Sequence, residues 1–243
     1  MFENNPHSPH NSPHNPNESH ATAAAIPRTG IEATFFGKVM AFFALAVFTS
    51  ALGTFVAYNY FIDVFINTPA LMYLLFAGEL AIIFTSRLWR THSPLNKLMF
   101  ALFAFITGVT LAPILWVLAS SPGGTAIVTK ALLATGLTFT ATGVLGWTTK
   151  RNLASLGGFL MMALFGMITV GVIGIFIPWG NAFEMIFSGV GVLLFSGFIV
   201  VDFNRLKHYP QDAYIDAAMA LYLDIFNLFL YILRFVMSLS GRN

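Results

Sequence analysis

Seven apolar runs, each close to the length that crosses a bilayer, occupy the chain from Phe35 onward: 36–58, 70–89, 95–118, 125–148, 153–177, 183–206 and 213–239. About 20 helical residues cross a hydrocarbon core. Lipid leaves no partner for an open backbone, so only helices and closed barrels can span it. Barrel strands alternate in segments of about ten residues, whereas these runs are longer and apolar on every side. Turn-forming punctuation separates them: NTP at 67–69, HSP at 92–94, SSPGG at 120–124, IPWG at 177–180 and HYPQD at 208–212. The pattern predicts an all-α integral membrane protein, a seven-transmembrane-helix bundle in one domain over residues 31–243, with the lipid bilayer as its first partner.

Composition supports that reading. Only 9% of the 243 residues are charged, against about 25% in a soluble domain that must cover its surface. Twelve Lys+Arg against ten Asp+Glu leave a formal charge of +2, and no basic stripe with interleaved aromatics points to nucleic acid. With no cysteine, disulfides, thiolate chemistry and Cys-ligated metals are excluded.

Residues 1–30 differ from the rest. Rich in Asn, Pro, Ser and His, they have too little apolar surface to offset the entropy of ordering, and a disordered tail is expected. His7, His10, His14 and His20 could hold a transition metal, but prolines break an irregular spacing and a solvated tail is the preferred reading. A polar, basic-poor start does not fit a secretory signal. Basic residues cluster beside the first run (Arg28, Lys38) and around alternate breaks (Arg87, Arg90, Lys97; Lys150, Arg151; Arg205, Lys207), while the first, third and fifth breaks have none. The positive-inside rule then puts the N-terminus in the cytoplasm and, after seven crossings, the C-terminus outside. Lys130, Arg234 and Arg242 are exceptions to the count.

Against this apolar background a few polar residues stand out. An aspartate at the centre of a spanning helix costs about 2.5–3.5 kcal/mol on insertion scales. In the last run, Asp216, Ala220, Asp224, Asn227, Tyr231 and Arg234 fall within a sector of about 80° at 100° per residue. Such a stripe faces protein or water rather than lipid. Asp202 lies near the end of the sixth run, and Glu79 mid-way along the second, with Arg90 about 20° away on the same wheel. Arg87 reads as an interfacial anchor. Two carboxylates held a few ångströms apart cannot both ionise easily and titrate as a unit. An arginine bound to the ionised form would be released on protonation. Oxygen ligands suit Ca²⁺, yet two or three carboxylates fall short of the six to eight oxygens of a tight site, so weak binding in transit fits better than storage. The plainer alternative is a buried carboxylate fixed by hydrogen bonds for packing specificity.

The segments GFIVVDFNRLKH (197–208) and AAMALYLDIFNLFLYILRF (217–235) closely resemble the Bax inhibitor-1 (TMBIM) family, and FAFITGVTLAPI (103–114) and TTKRNLASLGGFL (148–160) are similar to its bacterial branch. The resemblance runs from about residue 35 to the end. It implies a seven-helix bundle with the C-terminal helix central, in a bacterial cytoplasmic membrane, that carries a pH-sensitive calcium leak and is not an enzyme. On this chain the implied pH sensor and weak Ca²⁺ site is the pair Asp202 and Asp224, and the latch onto the pair is Arg90. The acidic residue associated with the pore is Glu79; Asp216 and Asn227 are added to the path from the wheel. Calcium ions and protons are what would move, with no resident cofactor. Relatives usually have Tyr where this chain has Val201, which removes a hydroxyl beside the pair. Some relatives lack the aspartates and are linked to control of membrane proteolysis, so a non-conducting regulator acting through a membrane-protein partner remains an alternative. An intramembrane aspartyl protease also needs two aspartates on adjacent helices, but LYLD replaces the Gly-x-Gly-Asp segment that loosens the helix in presenilin-type enzymes.

Overall fold

The computed structural model describes residues 28–177 and 180–241; the histidine-bearing segment before residue 28 lies outside them. The described chain contains helices and turns without a strand. Helix α1 (Arg28–Val56) runs through a widened π turn (Ala57–Phe61) into α2 (Ile62–Asn67). In that turn the Asn59 amide donates to Phe55 O at 2.8 Å. There follow α3 (Pro69–Phe84), α4 (Ser86–Trp89), α5 (Leu95–Ala119), α6 (Gly124–Thr148), α7 (Ala154–Phe176), α8 (Asn181–Arg205) and α9 (Tyr214–Leu239). Six helical stretches among the described residues are long and apolar enough to cross a membrane.

The expected second span differs. It is divided into the 16-residue α3 and the single turn α4, and α3 alone rises about 24 Å against a core of about 30 Å. Proline suits its start because the first-turn N–H has no helical partner. At its end Thr85 directs both its N–H (2.9 Å) and its hydroxyl (2.6 Å) to Ala81 O. The α-helical ladder is interrupted there, and Leu88 N–H turns to Thr85 O, three residues back, at 2.8 Å.

Packing centres on apolar faces. Helix α9 packs on α1, α5, α6 and α8, and α8 in turn packs on α6 and α7. Tyr222 of α9 sits edge-on between Phe100 and Phe103 of α5. α1 and α5 cross at backbone contact, for a Cβ on Gly108 would lie 1.9 Å from Ser50 O. Small residues at a crossing let membrane helices approach this closely, and Thr54 Oγ1 reinforces it by donating to Gly108 O at 2.8 Å. The outward faces of α3 and α7 carry large apolar side chains such as Phe84 and Phe165, as a bilayer requires.

Candidate functional site

Asp202, in the last turn of α8, and Asp224, mid-way along α9, are 8% and 6% exposed. The two carboxyl groups face each other across the α8–α9 contact. An ionised carboxylate only accepts, so two facing carboxyls in an apolar interface are compatible when one of them holds a proton. Arg205 Nη1 donates to Asp202 Oδ1 at 3.5 Å from three residues along the same helix, a spacing that places both side chains on one face. Asp224 Oδ2 has no hydrogen-bond partner although it is buried. A buried polar atom left in that state costs about 1–3 kcal/mol.

Arg90 caps α4 and stands 3.9 Å from Asp216 in the first turn of α9. The expected contact of Arg90 with Asp202 is not among the ion pairs of the described residues; the arginine beside Asp202 is Arg205. The reason is position along the bundle. Arg90 follows the last turn of α4 at loop level, where the start of α9 is its neighbour, and an anion in a first helical turn is favoured by the helix dipole. The loop holds it there, with the buried Asn96 donating its side-chain amide to Arg90 O at 3.0 Å.

Glu79 and Asn227 line a cavity of about 510 Å³ bounded by α3, α5 and α9, together with Thr107, Thr110, Tyr231 and Arg234. Thr110 Oγ1 donates to Glu79 Oε1 at 2.8 Å. Asn227 donates back to Leu223 O in its own helix. Thr107 shares a short hydrogen bond with Tyr222. The expected single constellation is therefore three groups: the aspartates with Arg205, Asp216 with Arg90, and Glu79 with Asn227. Neither Asp202 nor Asp224 lines the Glu79 cavity. Among the described residues no three His, Asp or Glu side chains gather as a metal site.

The family model described as "Inhibitor of apoptosis-promoting Bax1" matches residues 32–241. The chain belongs to the Bax inhibitor-1 family. It is 26% identical over 208 residues to an uncharacterized protein of Campylobacter jejuni, covering 86% of this chain and 90% of the relative. Protein lifeguard 4 of Mus musculus is 28% identical over 227 residues, 92% of this chain and 93% of the mouse protein. The Golgi anti-apoptotic protein of Vaccinia virus (strain Lister) is 31% identical over 169 residues, 69% of each. With its six long apolar helices, this Bax inhibitor-1 family member is a multi-pass membrane protein.

Two residues of the site were missed in the sequence. Arg205 reads in the sequence as an orientation marker, and its i,i+3 spacing from Asp202 is the signal that places it at the pair. Tyr209, just beyond α8, gave none. Burial first, and then the charge of Asp202, push its phenol above the ordinary value of 10.0; Arg205 opposes them, and Asp216 and Asp224 add to the rise. Tyr209 thus stands in the field of all three aspartates, while fully buried Val201 supplies no hydroxyl.

Proposed function

We propose that this protein is a pH-sensitive cation leak, with Ca²⁺ as the principal ion, in which the Asp202–Asp224 pair is the proton sensor. The observation that carries the reading is the pair of buried carboxyls facing each other across α8 and α9, with Asp224 Oδ2 lacking a partner; in this reading the two share one proton. Losing the shared proton puts two like charges in contact in an apolar interface, which forces α8 and α9 to rearrange, and an arriving cation or proton removes the repulsion. Two carboxylates leave most of a Ca²⁺ shell to water, so the ion is held weakly and in passage. The Glu79–Asn227 cavity is the wider part of the path. Arg90 closes the bundle through Asp216 rather than Asp202, so the latch is one step removed from the sensor. In this reading α3 and α4 together make a seventh crossing of about 30 Å, α9 is the central helix, the N-terminus is cytoplasmic and the membrane is a bacterial inner membrane.

The second reading, a non-conducting regulator acting through a membrane-protein partner, draws support from the printed name of the Vaccinia relative, an anti-apoptotic protein. Proteolysis has less support, because α9 runs unbroken through Asp224 and offers no unwound backbone for a substrate. The test is Ca²⁺ entry into dye-loaded vesicles containing the purified protein. Entry that varies with pH supports the leak. Its absence at every pH, in protein shown to be folded and inserted, supports the regulator.

A further inference from the structure

Arg205 has a second neighbour besides Asp202. A Cβ built on Gly157 of α7 would lie 2.2 Å from Arg205 Nη2, 3.1 Å from its Cζ and 3.3 Å from Val201 Cγ1. At the adjacent Gly158 a Cβ would meet nothing within 4 Å. The guanidinium therefore rests on α7 at the one of these two glycines where any side chain would displace it. The preceding residue strengthens the joint. Asn204 accepts from Leu153 N–H at 3.3 Å and donates to Thr149 O at 2.9 Å, so the end of α8 is stapled to the segment that leads into α7.

The other charged groups nearby are engaged elsewhere or lie away. α7 carries no titratable side chain and α6 only the exposed Lys130. Lys38 of α1 lies over the Tyr214 ring, Lys97 of α5 over Phe42, and Lys207 over Trp147. Arg90 pairs with Asp216, and Tyr209 is an acid that supplies no positive charge. Among the described residues, Arg205 is the cation paired with a member of the pair, 3.5 Å from Asp202 Oδ1.

We propose that Arg205 is the positioning residue of the Asp202–Asp224 pair, and that α7 sets where its charge stands through the seat at Gly157. A shift of α7 relative to α8 then retunes the pair, which gives the outer helix control over the sensor. The inference rests on the proposed role of the pair, yet its test does not depend on ion movement.

The experiment follows the carboxylic C=O infrared band of the full-length protein in vesicles as pH is varied, with Asp202→Asn and Asp224→Asn used to assign the band. Arg205→Gln should raise the protonation midpoint by about one pH unit, the lower end for a charge at this range because the guanidinium is partly exposed. Arg205→Lys should stay near native. Gly157→Ala should move the midpoint, and that effect should vanish in the Arg205→Gln background, while Gly158→Ala should leave the midpoint in place. A midpoint unmoved by Arg205→Gln overturns the role of the arginine. A Gly157→Ala effect that persists without Arg205 overturns the seat. A protein whose band responds as expected but which passes no Ca²⁺ overturns the leak and leaves this inference standing.

Discussion

Asp224 meets Asp202 across the α8–α9 interface and leaves its own Oδ2 buried without a partner. The contact joins two groups that repel when both are charged. It is therefore stable only while a proton or another cation is present.

Replacing Asp224 separates the two roles of that contact. In Asp224→Asn the amide can donate to Asp202 as the shared proton did, and the fold should lose little stability. In Asp224→Ala, Asp202 loses its buried partner, with an expected cost of about 1–3 kcal/mol. Thermal unfolding in detergent at fixed pH should rank the alanine variant below the asparagine variant.

Arg90 and Asp216 are 45% and 32% exposed at 3.9 Å, and partly exposed ion pairs contribute about 0–1 kcal/mol. Arg90→Gln should therefore barely change the melting temperature. If the pair closes the bundle, vesicle leak should rise in Arg90→Gln and in Asp216→Asn, and the double variant should leak no more than either single one.

Much of this arrangement can be traced to the sequence, and the rest was lost for identifiable reasons. The 100° periodicity of α9 groups Asp224, Asn227, Tyr231 and Arg234 on one face, along which Asp224 is buried, Asn227 and Tyr231 are half-buried and Arg234 is exposed. Yet Asp224 and Asn227 are about 60° apart on that wheel, enough for one to meet α8 while the other opens into the Glu79 cavity. Apolar run length identifies α3 but not its end at Thr85, because the apolar run continues through Trp89. Charge counting used Arg90 and Arg205 to orient the chain; it carried no information on which carboxylate each would meet. The seat of Arg205 on Gly157 depends on the approach of α7 to α8, which no local pattern encodes.

Thr110 positions Glu79 through a 2.8 Å hydrogen bond. Thr110→Val keeps the shape and removes the donor. Ca²⁺ flux at limiting Ca²⁺ should fall, because the carboxylate loses the donor that orients it toward the cavity.

Tyr209 gives a prediction at alkaline pH. Its phenol is raised above 10.0 in the folded protein by burial and then by Asp202. A group whose folded value is raised contributes stability that is complete below the unfolded value and is lost as pH climbs through the folded one. Destabilisation from this residue should therefore begin above about pH 10. Tyr209→Phe should flatten the loss of melting temperature in that range and leave neutral pH untouched.

The most direct measurement is Ca²⁺ influx into dye-loaded proteoliposomes from pH 5 to 8, comparing the native protein with Asp202→Asn and Asp224→Asn. The account predicts a pH-dependent flux in the native protein whose pH dependence is lost or shifted in both variants. A flux that keeps the native pH profile after either aspartate is neutralised would contradict it.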